Sequence, residues 1–261
     1  MVKSTILFDK IVFGPIRSRR LGSSLGVNLL PPDGKLCSFD CIYCECGLNK
    51  DRRPAIEIPS REQVKEALEY KLALLKAEGI TPDSITFAGN GEPTMHPEFG
   101  GIIDDTIALR NEFFPETAIT VFSNATMLDR KDVFDALNKV DNNVLKIDSV
   151  SEYRIRLINV PNSPLFTFDT LLGQLMGFKG NLMIQTMFLK GEYKGEKVDN
   201  TTEEEITGWI DALKQIQPKR VMIYTIERET PVEGLRKVDK EELEAIAERL
   251  RNEGFDVQVA G

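Results

Sequence analysis

Short apolar runs rich in β-branched residues alternate with amphipathic stretches along most of the chain, and this alternation restricts the fold more than any other feature. Leu25-Gly26-Val27-Asn28-Leu29-Leu30, Ser84 to Ala88, Ala118 to Phe122, Asn143 to Asp148, Leu182 to Phe188 and Arg220 to Thr225 read as six strands. Helices are predicted near Arg61 to Ala77, Phe99 to Asn111, Arg130 to Asn138, Glu203 to Gln215 and Lys240 to Asn252. The first of these opens with a capping box, Ser60 with Gln63 three residues later, and puts Val64, Leu68, Leu72 and Leu75 on one face. Ser151 to Gly177 reads as a helical crossover broken by Pro161 and Pro164, and Phe255 to Val259 as an extra terminal strand. Strands alternating with helices pair in parallel through right-handed crossovers. The expected fold is therefore α/β, a partial (β/α)6 TIM-like barrel of parallel strands, with an open doubly wound sheet as the other arrangement. Both bind ligands at the carboxyl ends of the strands, which is where this chain puts its polar and glycine-rich segments.

No repeat or low-complexity linker divides the 261 residues, so one domain spanning 1–261 is expected. With 41% hydrophobic and 28% charged residues the chain can bury a sizeable core, and no stretch approaches a membrane span. The apolar run in Met1 to Asp9 is too short, and the acid comes too early, for a secretory signal; the expected location is the cytoplasm, with no membrane partner. A net charge of −8 argues against a molecule that grips a phosphate backbone with its whole surface. Two local basic runs, Arg17-Ser18-Arg19-Arg20 and Lys50-Asp51-Arg52-Arg53, flank the cysteines; each reads as solvated surface charge or as a phosphate contact.

The four cysteines, Cys37, Cys41, Cys44 and Cys46, fall within ten consecutive positions. A disulfide framework would spread them along a secreted chain, so metal binding is the better reading. Three thiolates at x3 and x2 spacing can wrap three irons of a cubane cluster and leave the fourth iron open. Zinc is the rival, since Cys41-x2-Cys44 is half of a zinc site, but no second paired hook exists and His96 is the single histidine. Cys46 is either an inert thiol or a reactive one beside the cluster.

Other strand ends carry candidate ligands. Gly89-Asn90-Gly91-Glu92-Pro93 offers close backbone approach and an acid, or is a plain turn. Ser123-Asn124 reads on its own as a helix N-cap. Asp148 and Gln185 can contact a ligand or satisfy backbone groups. Tyr224, Thr225, Glu227 and Arg228 leave the sixth strand toward the same mouth, and Lys146 and Lys190 lie near strand ends, where surface lysine is the simpler account. His96 alone is weak support for a general base, and no residue stands out as a catalytic acid or base.

Cys37-x3-Cys41-x2-Cys44, with Tyr43 before the last cysteine, together with Gly89-Asn90-Gly91-Glu92-Pro93, resembles the radical S-adenosylmethionine (SAM) superfamily. Within it, Phe13 to Asn28, Ile158 to Pro161, Met187 to Gly191 and Tyr224 to Pro231 look like the subgroup related to wyosine (tRNA 4-demethylwyosine) synthases. The resemblance implies a [4Fe–4S] cluster on Cys37, Cys41 and Cys44. It also implies SAM held by Gly89, Asn90, Gly91 and Glu92 at its amino group, by Ser123 and Asn124 at its ribose, and by Asp148 and Gln185 near adenosine or substrate. It implies reductive cleavage of SAM to a 5′-deoxyadenosyl radical that takes hydrogen from a substrate. The partners implied are a low-potential donor such as flavodoxin or ferredoxin, and RNA (tRNA) or a nucleotide as substrate. The second cluster of wyosine synthases uses cysteines upstream of the signature; none precedes Cys37, so a single cluster is expected. A glycyl-radical-enzyme activase is the alternative enzyme reading, and an iron–sulfur electron-transfer or structural metal-binding protein the alternative outside enzymes.

Overall fold

The computed structural model describes residues 6–260, so the opening residues of the segment tested above for a signal, and the final glycine, lie outside it. The chain begins with an antiparallel hairpin, β1 (Val12–Ser18) and β2 (Gly22–Val27). The helix α1 (Arg61–Ala77), β3 (Ser84–Phe87), α2 (Phe99–Phe113), β4 (Ala118–Ser123), α3 (Lys131–Lys139) and β5 (Asn142–Lys146) follow. Then come α4 (Glu152–Ile158), α5 (Phe168–Met176), β6 (Met183–Tyr193), β7 (Glu196–Asp199), α6 (Glu203–Ile216), β8 (Arg220–Thr225), β9 (Leu235–Lys237), α7 (Lys240–Asn252) and β10 (Val257–Ala260). The sheet runs β1-β2-β3-β4-β5-β6-β8-β10, parallel from β2 to β10. It is the expected α/β barrel fragment, a curled half-barrel of mostly parallel strands.

Helix α1 shows how the sequence reaches this layout. Ser60 Oγ accepts from the Gln63 amide and the Gln63 side chain accepts from the Ser60 amide, which satisfies amides that the first turn leaves open. Val64, Leu68, Leu72 and Leu75 are all buried in the main core, each worth roughly 1.5–3 kcal/mol. The same logic holds in α7, whose Leu243, Ile246, Ala247 and Leu250 are buried.

Three features depart from the sequence expectation, each for a local reason, while the broken crossover appears as expected. Strand β2 starts at Gly22 and stops at Val27 because Asn28 turns the chain, its side chain accepting from the Leu30 amide and donating to the Leu30 carbonyl. The partner β1 carries no alternating pattern strong enough to mark it, and its residues are at most half-buried. The broken crossover resolves into α4 and α5, with Pro161 and Pro164 in the link. Strand β6 runs on to Tyr193 because its second half leaves the barrel and pairs antiparallel with β7 and β9.

Candidate active site

The cysteine loop leaves β2 and crosses the carboxyl ends of the strands. It is fastened on both sides by backbone bonds. On one side the Leu36 amide donates to the Asn90 carbonyl (2.9 Å) and the Glu92 amide to the Leu36 carbonyl (3.0 Å). This close approach explains Gly91: it has φ +143°, and a Cβ there would run into the Leu36 carbonyl. On the other side Asp40 donates its amide to Asn159 O (3.0 Å) and Ile42 to Ile158 O (2.9 Å) at the end of α4. Phe39, Ile42 and Tyr43 are buried in a second apolar cluster with Ile158, Met187 and Leu189, which holds the loop down.

Cys37, Cys41, Cys44 and Cys46 line one cavity of about 300 Å³. Burial pushes the Cys41 thiol up to about 11 and raises Cys37 as well, while Lys35 draws Cys37 back down. Cys44 lies below the usual thiol range because of its interaction with Cys46 and the Lys35 ammonium beside it. Lys35 has a side chain with 0% exposure, and donates to Asp40 Oδ1 (3.1 Å) and the Gly47 carbonyl (2.8 Å). Burial disfavours its charge, but the three surrounding thiols and Asp40 outweigh that and keep it protonated. Amide donors complete the sulfur surroundings: Asn124 Nδ2 to Cys37 Sγ (3.6 Å) and Asn159 Nδ2 to Cys41 Sγ (3.5 Å).

Of the residues expected at the site, Gly89, Gly91, Glu92, Ser123, Asn124 and Gln185 line the cavity with the cysteines. Glu92 turns its carboxylate into the wall. It accepts from Thr94 N (3.1 Å), Thr94 Oγ1 (2.5 Å), Ser123 Oγ (2.8 Å) and Asn124 N (2.6 Å), so one acid joins the ends of β3 and β4. Burial nevertheless raises its carboxyl above the ordinary 4.5 against the pull of those donors.

Asn90 and Asp148 stand behind the lining rather than on it. Asn90 is spent on the Phe8 backbone and the Pro31 carbonyl (2.8 Å). Asp148 accepts from Tyr43 Oη, Asn159 Nδ2 (2.6 Å), Met187 N (2.9 Å) and Lys146 Nζ (3.3 Å). Lys146 also donates to Tyr43 Oη (2.7 Å) and lines the cavity, so it is no surface lysine. Lys190 pairs with Glu242 (2.6 Å), away from the cavity lining. The His96 ring accepts from Glu98 N (3.1 Å) and therefore donates from Nε2 to Pro59 O (2.8 Å), a buried structural role. Cys46 donates to Gly89 O (3.2 Å).

Three contributors escaped the sequence reading: Lys35, Asn159 and, inside the first basic run, Arg20. Asn159 lies in the quoted Ile158 to Pro161 segment, but nothing in the segment marks its side chain as a sulfur donor. The structure divides the Arg17 to Arg20 run: Arg17 is exposed, Arg19 pairs with Glu227 (3.1 Å), and Arg20 enters the cavity.

Among the described residues, no three His, Cys, Asp or Glu side chains close on a single-ion position. The thiols instead share the wall of a cavity, an all-sulfur donor set suited to a multi-iron cluster with room in front of it for a chelating ligand. A family model for the radical SAM superfamily matches residues 32–172, from the loop before the cysteines into α5. The chain belongs to the radical SAM superfamily. Its cofactors as a member are a [4Fe–4S] cluster and SAM. It is 35% identical to UPF0026 protein MJ1312 of Methanocaldococcus jannaschii over 82% of this chain and 63% of that one, so it spans less than two thirds of that relative. In fold it is similar to Streptococcus suis SuiB bound to S-adenosylmethionine, with a TM-score of 0.64, 17% identity and coverage of 90% of this chain and 50% of that one. It is also similar to TYW1 with a lysine–pyruvate adduct bound, with a TM-score of 0.58, 14% identity and coverage of 89% and 75%. No helix among the described residues is long and apolar enough to cross a membrane.

Proposed function

We propose that this radical SAM chain cleaves SAM reductively and uses the product to abstract hydrogen from a nucleotide-like substrate, a free nucleotide or a tRNA base. The observation that carries the reading is the convergence of three thiols, Gly89, Gly91, Glu92 and Ser123-Asn124 on one cavity. When bound, cluster and SAM supply one-electron cleavage of a sulfonium bond and a carbon-centred hydrogen abstractor.

The protein's part is positional. Cys37, Cys41 and Cys44 would hold the cluster, with Lys35 offsetting the thiolate charge from behind. Gly91 lets the chain pass close enough to Leu36 to present strand-end carbonyls to an ammonium group, and Glu92 fixes that edge against Ser123 and Asn124. Ser123 and Asn124 would hold the ribose, and Gln185 would contact the adenosine or the substrate. Asn90 and Asp148 act at one remove, Asn90 by fixing the glycine loop and Asp148 by fixing Tyr43 and Lys146. The buried loop keeps water from the reacting centre. A low-potential donor such as flavodoxin or ferredoxin supplies the electron in the cytoplasm.

The test is anaerobic reconstitution with iron and sulfide, then SAM and dithionite, with 5′-deoxyadenosine as readout. Formation of 5′-deoxyadenosine is expected. A reconstituted cluster that leaves SAM intact, under conditions where a known radical SAM enzyme turns over, would overturn the proposal. Binding of tRNA across a salt series tests the RNA branch; no binding at low salt leaves the free nucleotide.

A further inference from the structure

Arg20 is an enclosed cation with no carboxylate partner among the described residues. Three other cations enclosed in this half of the molecule each have one: Lys35 has Asp40, Lys146 has Asp148 and Arg154 has Glu205. The Arg20 guanidinium carbon instead lies 4.6 Å from the Phe122 ring centre and 4.8 Å from that of Tyr224, and Nη1 donates to Gln185 Oε1 (3.3 Å). One of five N–H donors is thereby used, and the rings fix the plane of the group without occupying its edge. The arm that delivers it is itself fixed. Ser18 Oγ accepts from the Arg20 and Leu21 amides (3.3 and 3.2 Å), and the Arg20 carbonyl accepts from Gln258 Nε2 (3.2 Å).

The acids on the same cavity do not neutralise it. Glu92 is bonded into the wall by Thr94, Ser123 and Asn124, and Glu45 is tied to Arg228 (2.5 Å). Lys146 also lines the cavity, from the β5 position paired with Gln185 of β6. Two of its three donors are used, on Tyr43 and Asp148.

We propose that Arg20, with Lys146 and Gln185 beside it, is an oxyanion clamp that receives a carboxylate or phosphate group of a small substrate entering the barrel. The proposal rests on the reading of this cavity as the SAM-dependent site and deepens it. In a free nucleotide the group received is the phosphate, held end-on so that the reacting carbon lies between the clamp and the thiol side; a carboxylate is the other oxyanion that the same edge fits. A preorganised arginine edge matches the planar fork of a carboxylate or two oxygens of a phosphate.

Calorimetric titration of the reconstituted, SAM-loaded protein with inorganic phosphate, and separately with acetate, tests the clamp and tells the two oxyanions apart. Arg20→Met should weaken the preferred anion by about tenfold or more, with Arg20→Lys between it and the unaltered protein. Titration of SAM into the same variants must show a smaller loss. If Arg20→Met weakens SAM as much as it weakens the anion, the guanidinium serves the methionine carboxylate and the proposal is overturned. It is equally overturned if neither anion binds, or if binding ignores both variants. Should Arg20→Met fail to fold, the Arg20→Lys titration alone decides on the same terms. Arg20-dependent anion binding in a protein that neither binds nor cleaves SAM would instead sink the proposed function and leave the clamp standing.

Discussion

The two sides of the cavity treat positive charge in opposite ways. On the loop side Lys35 is sealed off and bonded to Asp40 and Gly47, so its charge acts on Asp40 and the sulfurs and not on the cavity in front of them. On the strand side Arg20 and Lys146 reach the cavity itself. Lys35 therefore serves the cluster ligands without reaching a ligand, whereas Lys146, which also acts on Cys41, and Arg20 face whatever sits in front of them. Enclosure, more than the number of lysines and arginines, separates the two tasks.

The largest effect expected is on the loop side. Cys41→Ala should remove cluster iron and abolish 5′-deoxyadenosine formation, while circular dichroism stays near that of the unaltered protein, since the apolar loop anchors remain.

Next is Lys35→Met, which leaves Asp40 and the Gly47 carbonyl without their buried donor and should cost about 2–3 kcal/mol in urea unfolding of the cluster-free protein. In the reconstituted protein it should also lower the cluster's reduction potential, because loss of a nearby positive charge disfavours the reduced form.

Asp148→Asn should cost about 1–3 kcal/mol by leaving Lys146 uncompensated, with less change in potential than Lys35→Met. If Asp148→Asn moves the potential more than Lys35→Met, the division of charge between the two sides is wrong.

The smallest effect is on pH dependence. Glu92 has a folded value raised above 4.5, so between the unfolded and folded values the native state holds more protons than the unfolded one. Stability should thus fall as pH rises through that window, and Glu92→Gln should flatten the slope, as read by urea unfolding at a series of pH values.

The repeating units were legible because amphipathic spacing and caps are local. Ser60 with Gln63 and the leucines of α1 fixed that helix from sequence, and α7 emerged with the same limits, Lys240 to Asn252. The cysteines were legible because their chemistry depends on spacing. Lys35 and Arg20 were not, since each looks like an ordinary surface cation until the fold decides what encloses it. Asn90 and Asp148 lie behind the lining: strand-end polar residues announce a site, but sequence does not say whether they face the ligand or brace the residue that does. The strands β7 and β9 depend on β6 overrunning the barrel, a long-range pairing with no local mark.

The bond from Gln258 to the Arg20 carbonyl joins residues 238 positions apart. A ribosome adding about 5–20 residues per second needs roughly 10–50 s to make that stretch. For that interval the nascent chain has its cysteine loop, its glycine edge and most of its strands, yet the arginine arm lacks the contact that steadies its turn. Cluster insertion and completion of the arginine's setting are therefore separable in time: a chain can acquire iron before the position that receives its substrate is fully held.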